Sequence, residues 1–296
     1  MVGFIGLGIM GRPMAKNLVN GGVDLMVNDV DENAVRELTD CGAKAGSYRD
    51  IGEACDIVIT ILPNGSIVQS VLFGEGGVAE GLSAGKTVCD MSSVTPDESR
   101  FCYAKLKEIG VGFIDAPVSG GEPGAIAGTL AIMCGGDEAD FLKMQPYFDI
   151  LGSSSVLIGP SGDGSVTKLA NQIIVNLNII AVSEALVLAE KAGTDPMKVY
   201  KAIRGGLAGS AVLDAKAPMI CRRDFKPGGK ISINHKDIKN VLATAHSIDV
   251  PVPFTAQLFE VQQTLKASGH MDDDHCGYVQ YFEQLAGVEV RSDETV

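Results

Sequence analysis

Between residues 159 and 171 the chain reads Gly-Pro-Ser-Gly-Asp-Gly-Ser-Val-Thr-Lys-Leu-Ala-Asn, a glycine-rich turn followed by Lys168 and Asn171. Residues three apart share a helix face, so amine and amide project side by side near the start of the helix that this turn opens. An amine so placed can do proton chemistry. Its ammonium form gives a proton to an oxygen gaining negative charge, and its neutral form takes one back. Partial desolvation brings its pKa toward the working pH. A solitary lysine is ordinarily a solvated surface charge, so the rest of the chain has to support the reading.

A second constellation lies at the N-terminus. Gly6-Leu7-Gly8-Ile9-Met10-Gly11 follows a short apolar run, Val2 to Ile5, and opens an amphipathic stretch, Ile9 to Asn20. In that setting GxGxxG is a dinucleotide fingerprint: Gly6 permits the turn, Gly8 lets a pyrophosphate approach the backbone, and Gly11 lets helix and strand pack closely. The helix N-terminus offers free N–H groups and partial positive charge to phosphates. About 20 residues on, Asn28 and Asp29 end the second apolar run, where a carboxylate accepts hydrogen bonds from the adenosine ribose. Val30 follows Asp29 where an NADP-binding chain would carry an arginine, and Arg36 is expected on the helix surface, so NAD is expected over NADP. A third group, Ser119, Gly120 and Gly121, follows a strand end and a proline, where successive N–H groups can converge on an anion such as a carboxylate.

These residues need elements to hold them. Val2 to Ile5, Val23 to Asn28, Ile57 to Leu62, Thr87 to Asp90, Val111 to Asp115 and Leu130 to Cys134 read as strands. Helical stretches lie between several of them: Glu32 to Asp40, Pro96 to Ile109 and Ala139 to Leu151. The alternation predicts an α/β, doubly wound, mainly parallel sheet covered on both faces. Leu62, Pro63 and Ser93 then stand at the cofactor-facing ends of later strands. From Ser165 to Ala192 there is neither glycine nor proline, enough for a helix of about 42 Å. Its apolar centre has membrane-like composition, but Asn176, Asn178, Ser183 and Glu184 interrupt it, and burial between domains or subunits is the better reading. The remainder reads as helical: Pro196 to Ile203, His235 to Ser247, Pro253 to Ala267 and His275 to Ala286, with a polar, frayed tail at 291–296. The expectation is a cofactor domain over 1–162 and an all-helical domain over 163–296, joined by the long helix.

With 296 residues, 46% of them hydrophobic and 21% charged, the chain can build two cores. A net charge of −13 argues against nucleic acid and anionic membranes as partners, so an anionic substrate must meet local cations. Seven scattered cysteines lack CxxC or Cys/His spacing and read as reduced, packed thiols; the four histidines form no ligand pattern, and no metal is expected. No basic, apolar leader precedes Val2, so the cytoplasm is the expected location.

Three motifs together resemble the β-hydroxyacid dehydrogenases, the family that includes 3-hydroxyisobutyrate dehydrogenase and tartronate semialdehyde reductase: the run Gly3 to Leu18, the loop Asp115-Ala-Pro-Val-Ser-Gly-Gly121, and the GxxGxGxxxKxxN of 159–171. The resemblance spans nearly the whole chain. Within the family, Ala202 to Pro218 and His235-Lys236-Asp237 are most similar to the tartronate semialdehyde reductase branch. It implies NAD(H) as cofactor, Lys168 as general acid and base, Asn171 as a substrate-positioning residue and Ser119 to Gly121 as the carboxylate loop. It further implies Lys236 near nicotinamide and substrate, cofactor contacts from Leu62, Pro63 and Ser93 (often threonine in relatives), and a homodimer or homotetramer. The expected pair is tartronate semialdehyde and D-glycerate, with 3-hydroxyisobutyrate and 2-(hydroxymethyl)glutarate as alternatives. An imine reductase and a non-catalytic NAD-binding module fit less well, since Lys168 and Asn171 are both present.

Overall fold

The structure is a computed structural model that describes residues 1–294. The chain divides into two compact units, Met1–Lys168 and Leu169–Val296. The division falls inside a helix, a few residues beyond the expected boundary at 162/163.

The first unit is built on one sheet. Its strands are β1 (Val2–Ile5), β2 (Leu25–Asn28), β3 (Lys44–Ala45), β4 (Ile57–Thr60), β5 (Thr87–Asp90), β6 (Gly112–Asp115), β7 (Val118–Ser119), β8 (Leu130–Gly136) and β9 (Gly152–Gly159). The order is β3-β2-β1-β4-β5-β6-β8-β7, with β9 paired to β8. β3 through β6 run parallel in the doubly wound dinucleotide-binding order, whereas β8 is antiparallel to β6 and β7 antiparallel to β8. β1, β4 and β5 are buried at every residue because helices cover both faces, which is why they read as unbroken apolar runs. One face packs on α1 (Gly11–Asn20), α2 (Glu32–Asp40) and α7 (Glu138–Leu151) through Met14, Leu18, Leu38, Met144 and Phe148. The other packs on α3 (Tyr48–Ala54), α4 (Gly65–Phe73) and α5 (Pro96–Glu108) through Ile51, Val68, Leu72, Cys102 and Leu106. A short α6 (Gly121–Ala127) follows β7.

α8 (Asp163–Lys191) begins in this unit and runs on into the second. There Ile179, Val182, Leu186 and Val187 enter two apolar clusters with α9 (Pro196–Ile203), α10 (Ala211–Cys221), α11 (Ile231–Ser247), α12 (Pro253–Ala267) and α13 (Val279–Ala286). The apolar centre of α8, membrane-like in composition, is thus partly core of a helical unit, with 44% of its most apolar stretch buried and Ile174 and Leu188 exposed. No strand occurs in this unit among the described residues.

The tail departs from the expectation of fraying. Ser292 Oγ donates to Asp195 at 2.9 Å, Ser292 N donates to Cys221 O at 3.1 Å, and Glu294 pairs with Lys198 and Lys201 at 3.2 Å. Polar composition looked like solvation; here it is a set of specific partners. Residues 295 and 296 lie outside the described residues. All seven cysteines are free thiols, and Cys41, at the C-terminal end of α2, is the exposed one. Burial pushes Cys102 and Cys134 up to about 12 and Cys221 up to about 11.

Candidate active site

The glycine-rich turn sits between β1 and α1. Gly11 packs so closely that an added Cβ would stand 1.9 Å from Gly6 O, so helix and strand meet only without a side chain there. Gly8 is the opposite case: a Cβ there would meet nothing within 4 Å. The space in front of it is open, no side chain caps α1, and Gly8 and Ile9 are exposed. This cradle fits a pyrophosphate lying against backbone N–H groups.

Asp29 follows β2 and is already engaged on the protein side. Its Oδ2 accepts from Leu7 N at 2.5 Å and its Oδ1 from Asp31 N at 2.8 Å, so the carboxylate braces the turn. Asn28 is half-buried, and its Nδ2 donates to Gly46 O at 2.7 Å. Leu62 and Pro63 follow β4, and Ser93 follows β5. A buried relay ties these two ends together. The Asp90 carboxylate accepts from Thr60 Oγ1 at 2.8 Å and from Ser92, whose hydroxyl accepts from Leu62 N at 2.8 Å. Strands β1, β2, β4 and β5 therefore bring Gly6 to Gly11, Asn28, Asp29, Leu62, Pro63 and Ser93 to one edge of the sheet, the carboxyl edge, where such folds take dinucleotides.

The loop Ser119, Gly120 and Gly121 leaves the same edge beyond β6. Gly120 and Gly121 have φ of +140° and +61°, conformations that favour glycine, and they turn the chain from β7 into α6. Lys168 is 8% exposed on α8, about one and a half turns from its start, and Asn171 is three residues further along. The start of α8 is fixed to the end of β6: Asp115 Oδ1 accepts from Gly162 N at 2.7 Å and Oδ2 from Ser165 N at 2.8 Å. Lys168 thus belongs to the same edge as the turn and the loop.

Asn171 and Lys236 lie in the second unit and are linked there. Asn171 Nδ2 donates to Gln172 Oε1 at 3.0 Å, Gln172 Nε2 donates to Asp237 Oδ2 at 2.6 Å, and Lys236 Nζ pairs with Asp237 Oδ1 at 3.0 Å. Sequence reasoning missed Gln172 and Asp237 as connectors, Asp90 and Ser92 as the relay, and Arg12, which pairs with Asp31 at 3.6 Å and Glu37 at 3.2 Å. A glutamine inside an apolar helix and a carboxylate closing an apolar strand are signals that could have found the buried ones, because polar groups there must be partnered.

Comparison with known proteins agrees with this geometry. Residues 1–159 match the NAD binding domain of 6-phosphogluconate dehydrogenase, and residues 162–282 match the family described as NAD-binding of NADP-dependent 3-hydroxyisobutyrate dehydrogenase. The chain is 44% identical over 285 residues to 2-hydroxy-3-oxopropionate reductase of Escherichia coli (strain K12), covering 96% of this chain and 98% of that protein. It is 37% identical to 2-(hydroxymethyl)glutarate dehydrogenase of Eubacterium barkeri, with 98% and 97% covered. A solved Mycobacterium tuberculosis 3-hydroxyisobutyrate dehydrogenase with L-serine superposes with a TM-score of 0.88 at 28% identity, covering 95% of this chain and 98% of that one. An edge shaped for a dinucleotide, a buried lysine beside it and these matches along almost the full length lead to one conclusion: the chain belongs to the β-hydroxyacid dehydrogenases, oxidoreductases that use a nicotinamide cofactor.

Proposed function

We propose that the protein reduces tartronate semialdehyde to D-glycerate with NADH. The observation that carries this reading is the 44% identity, over 96% of the chain, to the Escherichia coli 2-hydroxy-3-oxopropionate reductase. The nicotinamide cofactor, when bound, supplies the hydride to the aldehyde carbon. The turn Gly6 to Gly11 holds its pyrophosphate, with Leu62, Pro63 and Ser93 further along the same edge, and Asp29 holds the adenosine ribose. Ser119, Gly120 and Gly121 bind the substrate carboxylate through backbone N–H groups and the serine hydroxyl. Lys168 gives its proton to the oxygen that becomes the alcohol, and takes one back when the alcohol is oxidised. Asn171 orients the substrate, and Lys236 supplies a local positive charge in a chain whose net charge is −13. The protein works in the cytoplasm as a homo-oligomer.

The test is a matrix of initial rates. Tartronate semialdehyde reduction and oxidation of D-glycerate, 3-hydroxyisobutyrate and 2-(hydroxymethyl)glutarate are each measured with NAD(H) and NADP(H). The reading expects the highest kcat/KM for the tartronate semialdehyde and D-glycerate pair with NAD(H). A clear preference for either other acid would move the substrate assignment to that acid while leaving the family chemistry in place.

A further inference from the structure

We infer that Asp115 is the positioning residue for Lys168: its carboxylate grips the first turn of α8 and so sets where the amine stands against the substrate oxygen. The inference rests on the proposed role of Lys168 as proton carrier. Asp115 ends β6, is 1% exposed, and spends both oxygens on the helix, one on Gly162 N and one on Ser165 N. Those N–H groups belong to a helix start whose donors have no partners within the helix. An ionised carboxylate there satisfies the donors and complements the positive end of the helix dipole. Lys168 lies three residues, less than one turn, beyond Ser165, so a shift of the gripped turn is carried to the amine almost undiminished.

The surroundings pack closely against the turn. A Cβ at Gly164 would meet Asp115 O and Met133 O at 2.5 Å, and one at Gly135, on β8, would meet Gly164 N at 2.7 Å. The glycines of the motif therefore serve contact between the helix start and the ends of β6 and β8. From α5, Ser99 Oγ meets Ser165 Oγ at 2.9 Å and Arg100 reaches Asp163 at 3.9 Å, holding the opposite side. Within this collar Asp115 is the group that supplies two charge-assisted bonds along the helix axis.

The test is a double-mutant cycle on the full chain with Asp115→Asn, Lys168→Ala and both. Asparagine keeps one acceptor oxygen but presents an NH2 group to the other backbone donor. Turnover in semialdehyde reduction should fall about 10- to 100-fold in Asp115→Asn, the order expected for misplacement of a reacting group. NADH affinity, read by fluorescence titration, should stay within about twofold, because the Gly6 to Gly11 turn is untouched. In the Lys168→Ala background Asp115→Asn should cost nothing further, since residues acting as one unit are non-additive. Wild-type turnover in Asp115→Asn would overturn the inference, and so would an equal loss in both backgrounds. Near-normal turnover of Lys168→Ala alone would instead overturn the proton-carrier reading. If Asp115→Asn does not fold, hydrogen exchange on the wild type decides: the Gly162 and Ser165 amides must be protected at neutral pH, and fast exchange of both overturns the grip.

Discussion

At the scale of the residue, the chemistry depends on a few groups whose loss should be specific. Lys168→Ala is expected to lose about 10²- to 10⁴-fold in turnover with fold and NADH binding intact, the usual worth of a positioned acid or base. Circular dichroism and NADH titration separate that outcome from unfolding. Coenzyme choice is the second expectation: NADH over NADPH by at least about tenfold in kcat/KM, because a 2′-phosphate would meet Asp29 and Val30 offers no countercharge. Measured at one salt concentration, a preference for NADPH would show that a cation reaches the site, and Arg12, held by Asp31 and Glu37, is the one to test. Asp29→Ser with Val30→Arg should narrow the ratio, and chiefly by weakening NADH, since Asp29 also holds Leu7 N. The fingerprint glycines and Lys168 were legible in the sequence because spacing along one turn or helix fixes their relation. The second job of Asp29 was not, since it depends on a contact across 22 positions of chain.

At the scale of the element, the start of α8 makes activity and stability respond to pH in opposite directions. Burial pushes the Asp115 carboxyl up to about 6, against the Gly162 and Ser165 amides that hold it down, and nearby Asp90 adds to the rise. Because the native pKa lies above the unfolded one, the contribution of this group to stability is fully present below about 4 and is lost as pH rises through about 6. The grip on two N–H donors needs the ionised form, which prevails above 6. Turnover in the reductive direction should therefore show an acid limb with a midpoint near 6, while the stability contributed by Asp115 rises on the same side. The limb should be missing from the pH profile of Asp115→Asn. Of the groups facing Asp115, the Cys134 thiol titrates near 12, so it cannot imitate this limb. The sequence showed that a helix starts after a glycine turn; the strand end that receives it was hidden, because DAPVSGG reads forward into the loop at Ser119.

At the scale of the whole molecule, the doubly wound sheet and helical second unit were legible because their apolar runs and turn residues are local signals. β2, β4, β6 and β8 differ from the expected segments by a residue or two, and α2, α9 and α12 keep the expected bounds. β3, β7 and β9 were not legible: two are two residues long, and β9, Gly-Ser-Ser-Ser-Val-Leu-Ile-Gly, leaves Val156 and Ile158 exposed and so lacks an apolar alternation pointing inward. The pinned tail escaped notice for a similar reason, since its partners Asp195, Lys198 and Lys201 are about 100 positions away. The distribution of thiols has a practical side. Only the thiolate reacts, and burial suppresses it at every cysteine except Cys41. An Ellman titration of the native protein should release one fast equivalent, and the unfolded chain seven. Cys41 follows α2, a helix of 9 residues that starts shortly after Asp29, so it stands about 13 Å along the helix axis from the first residue of α2. The chain thus carries a native attachment point for a single fluorophore, and dye brightness at Cys41 could follow coenzyme arrival and departure with no cysteine engineered in or out.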